Sequence, residues 1–415
     1  MHSPKQSPSA LIVGAGITGL ATALSLSRRG WSVKVFERTS AFEAVGAGIQ
    51  LAPNGMKVLR ALGVEGEILN RGFLPEALEM RLGKTGRRVF SIPVRHVAPY
   101  RWRAPYVHIH RADLVAVLAD ALLAAAPGAL RLGASVQTVD EAKGVIRLSD
   151  GSEEAGDLVV AADGFRSGVR AQLFDDSPPR DTGMIAWRAV VPAQRLGSDI
   201  PPETACVWAG PGRHAVTYHL SKAGLVNFVG IVERQLDQPE QYERWDVEGT
   251  RHEALADFAG WDPEVTTLIE RAEGLGRWTL FDRPPSPAWV SGCAVLAGDA
   301  AHPMLPTMAQ GGCQGLEDAW ALAACVCAYD GSRDAAALSA GLQAYAALRQ
   351  PRTAEIQRRA MRNARDFHHR PGAEALRAYS TLWLGARLLP WAARAQLDRI
   401  YGYDITAEAP SVPAT

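Results

Sequence analysis

The apolar positions of this 415-residue chain change period several times, and each change marks an element. Residues 10–13 (ALIV) form an unbroken apolar run, which predicts a short strand buried on both faces. The run meets Gly14-Ala-Gly16-Ile-Thr-Gly19 and then LATALSLSRRG, whose spacing predicts a helix ending at Gly30. Residues 32–36 (SVKVF) predict a second strand, and the glycine-rich stretch 45–54 leads into the helix GMKVLRALG. Residues 76–95 read as paired strands around a Lys-Thr-Gly turn, and His108-Ile-His110 as a strand entering a long Ala/Leu helix that ends near 126. Strand patterns follow at 129–132 and 135–139, with a hairpin over Lys143-Gly144, and the apolar strand 157–162 stops at Asp163-Gly164. Residues 183–233 alternate with period two and predict a separate, mostly antiparallel sheet walling a pocket. Another strand precedes Gly298-Asp299, and from Gly315 onward the pattern is helical.

The first turn carries the earliest chemistry. Gly14 suits a tight turn, Gly16 lets a pyrophosphate approach the backbone at a helix N-terminus, and Gly19 lets the helix lie close on its strand. The second strand ends at Glu37, 18 residues after Gly19, where a carboxylate can bond ribose hydroxyls. An acid there repels a 2′-phosphate, so FAD or NAD fits this site and NADP does not. The fingerprint alone leaves FAD and NAD open.

Composition narrows the setting. Lys plus Arg and Asp plus Glu are 44 each, a balance with no electrostatic footprint for a nucleic acid backbone. A mean hydropathy of -0.06 and the lack of an 18-residue uncharged apolar run argue against an integral membrane span. Five scattered cysteines without C-x-x-C suggest neither a disulfide framework nor a zinc knuckle. The apolar run near the N-terminus is too short for a signal-peptide core, so the expectation is a cytoplasmic protein.

Three elements coincide in order: GAGITG with Glu37, Asp163-Gly164 in VVAADGFRSGVR, and Gly298-Asp299 in VLAGDAAHPMLPTMAQGGCQGLEDA. Together they resemble the single-component FAD-dependent aromatic hydroxylases, the class of p-hydroxybenzoate and salicylate hydroxylases. GAGIQLAPNGMKVL, HIHRADL, the WRAVVP strand, His214-Ala-Val-Thr-Tyr218 and the terminal Tyr401-Gly-Tyr-Asp404 are most similar to the salicylate, 3-hydroxybenzoate and 6-hydroxynicotinate branch. The last enzymes usually carry a His where this chain has Gln50, which weighs against that one substrate. The implied fold is α/β: a Rossmann-like FAD-binding domain over 1–75, 106–180 and 286–330, interleaved with a mostly antiparallel substrate domain, and a helical C-terminal segment over 331–415. The substrate domain is a hairpin over 76–105 and a β-sheet over 181–285.

The resemblance also implies roles. Gly14, Gly16, Gly19, Glu37 and Arg38 would hold the ADP half of FAD, Val136 would meet the adenine through its backbone, and Arg111 would bring a cation to the flavin or pyrophosphate. Asp299 would bind the ribityl or pyrophosphate region, and Asp163, Gly48, Gln50 and Pro306 complete the cofactor set. Backbone N–H groups of Gly311 and Gly312, in a loop before a helix over 313–325, would face the flavin N1/O2 edge. The implied chemistry is reduction of bound FAD by NADH or NADPH docking transiently, O2 addition at the flavin C4a, and oxygen transfer to an electron-rich ring. The substrate is then a small aromatic, phenolic or heteroaromatic acid, with His214 and Tyr218 as catalytic and substrate residues and Cys206 and Pro306 beside them. A halogenase, a non-oxygenating FAD reductase of the same superfamily and a flavin-binding sensor are the competing readings. Arg188, Arg213 and Arg103 are equal candidates for an anion anchor.

Several side features complete the expectations. His302 reads as a loop-ordering residue, His368-His369 as solvated surface, and His108 with His110 as a strand pair that does not make a metal site. Segment 376–400, with Trp383, Leu384, Leu388, Leu389, Trp391 and Leu397, reads as a helix packing on the pocket or on a second subunit, with an interfacial membrane helix as the other reading. A homodimer is left open.

Overall fold

The computed structural model describes residues 7–42, 48–175, 177–221, 224–235, 249–331, 334–369, 372–388 and 390–408. The apolar run becomes strand Ser9–Val13, in the middle of a six-stranded sheet. It pairs in parallel with Ser32–Phe36 on one side and Leu158–Ala161 on the other, and Ala294–Leu296 and Leu130–Arg131 extend the sheet. Such central strands need no polar face, which is why the sequence shows none. Helix Ile17–Ser27 is buried from Leu20 to Leu26 and packs against helices Arg111–Ala125 and Gly311–Cys325.

The second lobe is a seven-stranded sheet. Arg180–Pro192, Thr204–Gly210, Arg213–Ser221 and Leu225–Glu233 supply the expected antiparallel strands. Ala77–Leu82 and Arg88–Ile92 join one edge, the former parallel to Thr204–Gly210, and Gly276–Asp282 closes the other. Cross-strand pairs place His214, Val216, Tyr218, Arg188, Asn227 and Trp278 on one face. Cys206, Trp208, Thr217 and Phe228 lie on the other, under helices Arg251–Asp257 and Pro263–Arg271.

A two-stranded ribbon, Gly48–Leu51 with Val107–His110, bridges the lobes: Gly48 N donates to Asn227 Oδ1 of the large sheet at 3.0 Å. The 33-residue helix Ala335–Phe367 runs along both lobes. Helices Ala373–Leu388 and Pro390–Tyr401 follow. Trp383 and Tyr379 pack inward on the cluster around Met80 and Val89, at one edge of the large sheet, whereas Leu382, Leu384 and Leu388 face outward. Leu389 and the side chain of Trp391 lie outside the described residues. No helix among the described residues is long and apolar enough to cross a membrane.

Candidate cofactor cleft and substrate chamber

The glycine turn shows a separate steric demand at each position. Gly14 has φ +98°, and a Cβ there would stand 2.5 Å from the Ala162 carbonyl oxygen; a Cβ on Gly19 would stand 1.9 Å from the Gly14 oxygen. Gly16 differs, because a Cβ would meet nothing within 4 Å. Its openness faces the N-terminus of helix Ile17–Ser27, which has neither a side-chain cap nor an acid in its first turn. Uncapped N–H groups and the helix dipole there favour an anion. Glu37 closes the turn: Oε2 accepts from Ala15 N at 2.9 Å, and Oε1 accepts from Thr39 N at 3.0 Å. Ala134 N donates to the Glu37 carbonyl at 2.8 Å, which brings the strand of Val136 alongside. Arg38 is exposed.

A second N-terminus lies across the cleft. Helix Gly311–Cys325 starts two residues earlier than expected, so Gly311 and Gly312 are its first turn rather than a preceding loop. Gln310 supplies no side-chain cap, and this turn too is free of acids. A Cβ on Gly311 would lie 3.8 Å from Asp299 Oδ1, and one on Gly312 2.6 Å from Ile49 Cδ1 and 3.8 Å from Ile17 Cδ1. The two helix N-termini, Asp299 and the ribbon at Gly48–Leu51 therefore converge. Desolvation pushes the Asp299 carboxyl up, opposed by His302 and Arg111, and its side chain opens into the cleft. Arg111 is exposed at the start of its helix. Asp163 is raised by burial; its Oδ2 accepts from Val169 N at 3.3 Å, and its buried Oδ1 has no partner among the described residues.

The fit to a dinucleotide rests on these features: two uncapped helix starts, open space at Gly16 and a carboxylate at the second strand end. FAD, with two phosphates and a ring that becomes anionic on reduction, matches that donor set.

Sequence reasoning missed the network that holds the 298–312 loop. Arg349, fully buried, donates to Glu317 Oε2 at 2.5 Å and Asp318 Oδ1 at 2.7 Å; Asn54 donates to Glu317 Oε1 at 2.7 Å. Asp318 Oδ2 meets His302 Nε2 at 2.5 Å and accepts from Gly298 N at 2.9 Å. Burial alone raises the Asp318 carboxyl, but His302 and Arg349 outweigh it and hold it at about 2. His302 is therefore a loop-ordering residue. The readable signal was a Glu-Asp pair inside an otherwise apolar helix, which demands buried cations.

The candidate substrate chamber is the side of the large sheet that faces this loop. Leu305 and Met308 pack in one cluster with Val216, Val229 and Trp278, and Pro306 between them is exposed. Tyr218 is buried, donates to the Gly48 carbonyl at 2.8 Å, and its ring lies 4.7 Å from that of His108. The Gln50 side chain turns toward tyrosines, accepting from Tyr106 at 2.6 Å. Arg188 stacks over Trp278 at 4.1 Å, and burial lowers its guanidinium to about 10. Of the three candidate anchors, Arg188 and Arg213 are both half-buried, Arg188 on the face of His214 and Tyr218 and Arg213 at the turn beside Gly212, whereas Arg103 is exposed.

Two expectations are corrected. Cys206 pairs with Thr217 and belongs to the core behind the sheet, so alternation removes it from the chamber that Tyr218 faces. His368 is not solvated surface: it is 6% exposed and contacts His214, whose Nδ1 lies 2.7 Å from His368 Nε2. His108 is buried and bonds the His219 carbonyl at 2.9 Å, and His110 caps its helix by accepting from Ala112 N.

Known proteins share this architecture. A family model described as FAD binding domain matches residues 8–360. A 3-amino-4-hydroxybenzoate 2-monooxygenase of Streptomyces platensis is 37% identical over 369 residues, 88% of this chain and 90% of that protein. A 3-hydroxybenzoate 6-hydroxylase of Aquipseudomonas alcaligenes is 36% identical over 88% of this chain and 91% of its own length. Among solved structures, a salicylate hydroxylase substrate complex superposes with a TM-score of 0.79 at 26% identity, covering 98% of both chains. Klebsiella pneumoniae HpxO complexed with FAD and uric acid also gives 0.79, at 25% identity, covering 95% of this chain and 98% of that one.

Proposed function

The chain belongs to the family of FAD-binding aromatic-ring monooxygenases, and we propose that within it the substrate is a small aromatic acid carrying a ring hydroxyl, held over Val216 between Tyr218 and His214. The protein is an FAD-dependent hydroxylase that uses NAD(P)H and O2. The observation that supports the substrate class is Arg188: a half-buried cation on the sheet face of His214 and Tyr218, stacked over Trp278, favours an aromatic that arrives as an anion. The substrates named for the relatives are aromatic acids of this kind.

When bound, FAD supplies the activation of oxygen and its delivery to the ring. Gly14, Gly16, Gly19 and Glu37 would hold its adenosine and pyrophosphate end, with Arg111 and Asp299 along the cleft, and the Gly311 and Gly312 N–H groups would stabilise negative charge on the ring. Leu305, Val216 and Val229 exclude water. His214 takes the phenolic proton, which raises the electron density of the ring. We place the enzyme in the cytoplasm, where NAD(P)H is at hand and its five free cysteines stay reduced.

The test is a screen of hydroxybenzoates, amino-hydroxybenzoates and hydroxynicotinates for acceleration of FAD reduction, with product mass and oxygen-18 incorporation measured. Accelerated reduction with one labelled oxygen in the product is the expected result; acceleration without incorporation rejects the hydroxylase reading. His214→Ala is expected to lower single-turnover hydroxylation by about a hundredfold while flavin reduction changes little.

A further inference from the structure

His214 is the buried end of a chain of side chains that reaches the surface. Its Nδ1 lies 2.7 Å from His368 Nε2, and His368 Nδ1 lies 2.8 Å from Glu233 Oε1. Both rings are buried, whereas the Glu233 side chain is 55% exposed. The opposite nitrogen, His214 Nε2, is buried and has no hydrogen-bond partner among the described residues. The backbone fixes this geometry. His368 ends the long helix, its carbonyl accepts from Gly212 N, and Glu233 N donates to the Gly212 carbonyl at 2.8 Å.

The order of donors follows from the carboxylate. Glu233 only accepts, so His368 Nδ1 bears the hydrogen. Burial disfavours the charged form of His368 and, more strongly, of His214; the charged groups around His368 are Glu233, which opposes this, and Arg213, which adds to it. A neutral His368 then presents a lone pair at Nε2, His214 donates to it from Nδ1, and His214 Nε2 is left with a lone pair.

We propose that Glu233 and His368 form a proton relay that holds His214 Nε2 as an acceptor and carries the proton it takes to the surface. A proton arriving at His214 Nε2 is matched by transfer of the Nδ1 proton to His368 Nε2, and of the His368 Nδ1 proton to the Glu233 carboxylate, which releases it to water. Only N–H bonds and a transient O–H bond on Glu233 change and no electrons move; the reverse sequence, a proton taken up from water at Glu233 and one returned from His214 Nε2 to the product oxyanion, restores both tautomers. His368 and Glu233 are positioning residues, and the inference rests on the proposed role of His214 in hydroxylation.

Two measurements test it on the FAD-loaded enzyme. Nitrogen-15 histidine spectra, assigned with His214→Gln and His368→Gln, are expected to show both rings protonated at Nδ1 and bare at Nε2. Glu233→Gln, at an exposed site, is expected to slow single-turnover hydroxylation roughly tenfold and change its pH profile, with flavin reduction within about twofold of the parent and Glu233→Asp recovering most of the rate. A hydrogen on His214 Nε2, or a Glu233→Gln enzyme that hydroxylates at the parent rate and pH profile, overturns the relay. If the parent hydroxylates none of the acids, the function fails separately and the tautomer of His214 decides the relay.

Discussion

Gly16 and Gly19 stand three residues apart in one motif, yet their side-chain space is opposite. Gly19→Ala forces a Cβ against the Gly14 oxygen and is expected to destabilise the protein by about 1–3 kcal/mol in denaturant titration. Gly16→Val adds atoms only to the open cleft, so stability of the FAD-free protein should stay within about 0.5 kcal/mol while FAD retention, read by gel filtration and absorbance, is lost. His108 makes a third case. Burial holds its imidazole at about 3, below its ordinary 6.5. The unfolded chain therefore binds a proton that the fold refuses, so this contribution is whole above about pH 6.5 and is lost as pH falls towards 3. His108→Gln should flatten the decline of Tm between pH 6.5 and 4. The glycine spacing was legible because each glycine answers a local backbone demand. The burial of His108 and His368 was not, since a histidine in a strand or at a helix end reads alike whether protein or water lies beyond it.

Among the elements, the helix Gly311–Cys325 and the C-terminal segment depend on contacts made far along the chain. Arg349 and Glu317 are 32 residues apart and fully buried. Removing one partner strands a charge, and Arg349→Met is expected to cost about 3–5 kcal/mol in chemical unfolding, with loss of order at 298–312 seen by hydrogen exchange. Lys57 donates to the carbonyls of Tyr401, Gly402 and Tyr403 at 3.3, 2.9 and 2.9 Å. Lys57→Met should release that segment, at a cost of about 1.5–3 kcal/mol, and expose 397–408 to proteolysis. Period and punctuation revealed most of these helices and strands. The strand Gly276–Asp282 and the two short helices before it went unread because they lie in a stretch of mixed pattern that takes its place only against the sheet.

At the scale of the molecule, the cleft draws on both lobes: Glu37 and Gly16 belong to the parallel sheet, while Gly48 is tied to Asn227 and Tyr218 of the large sheet. FAD should therefore raise a single cooperative unfolding transition in calorimetry, by about 2.7 kcal/mol at a hundredfold excess over its Kd, and Gly16→Val should abolish the shift. The balanced charge fits a protein that holds its anionic cofactor by local backbone dipoles rather than by a basic surface. The sequence by itself determined the parallel α/β core, the dinucleotide turn and the alternating sheet, because those follow from backbone geometry and from periods of a few residues. Strand alternation also puts His214 and Tyr218, four residues apart, on one face. Only the tertiary structure decided that this face meets the cleft, that Cys206 lies behind it, and that His214 leads through His368 to Glu233. Those facts depend on which surfaces a sheet buries and on residues up to 179 positions apart, and neither is written in any local spacing.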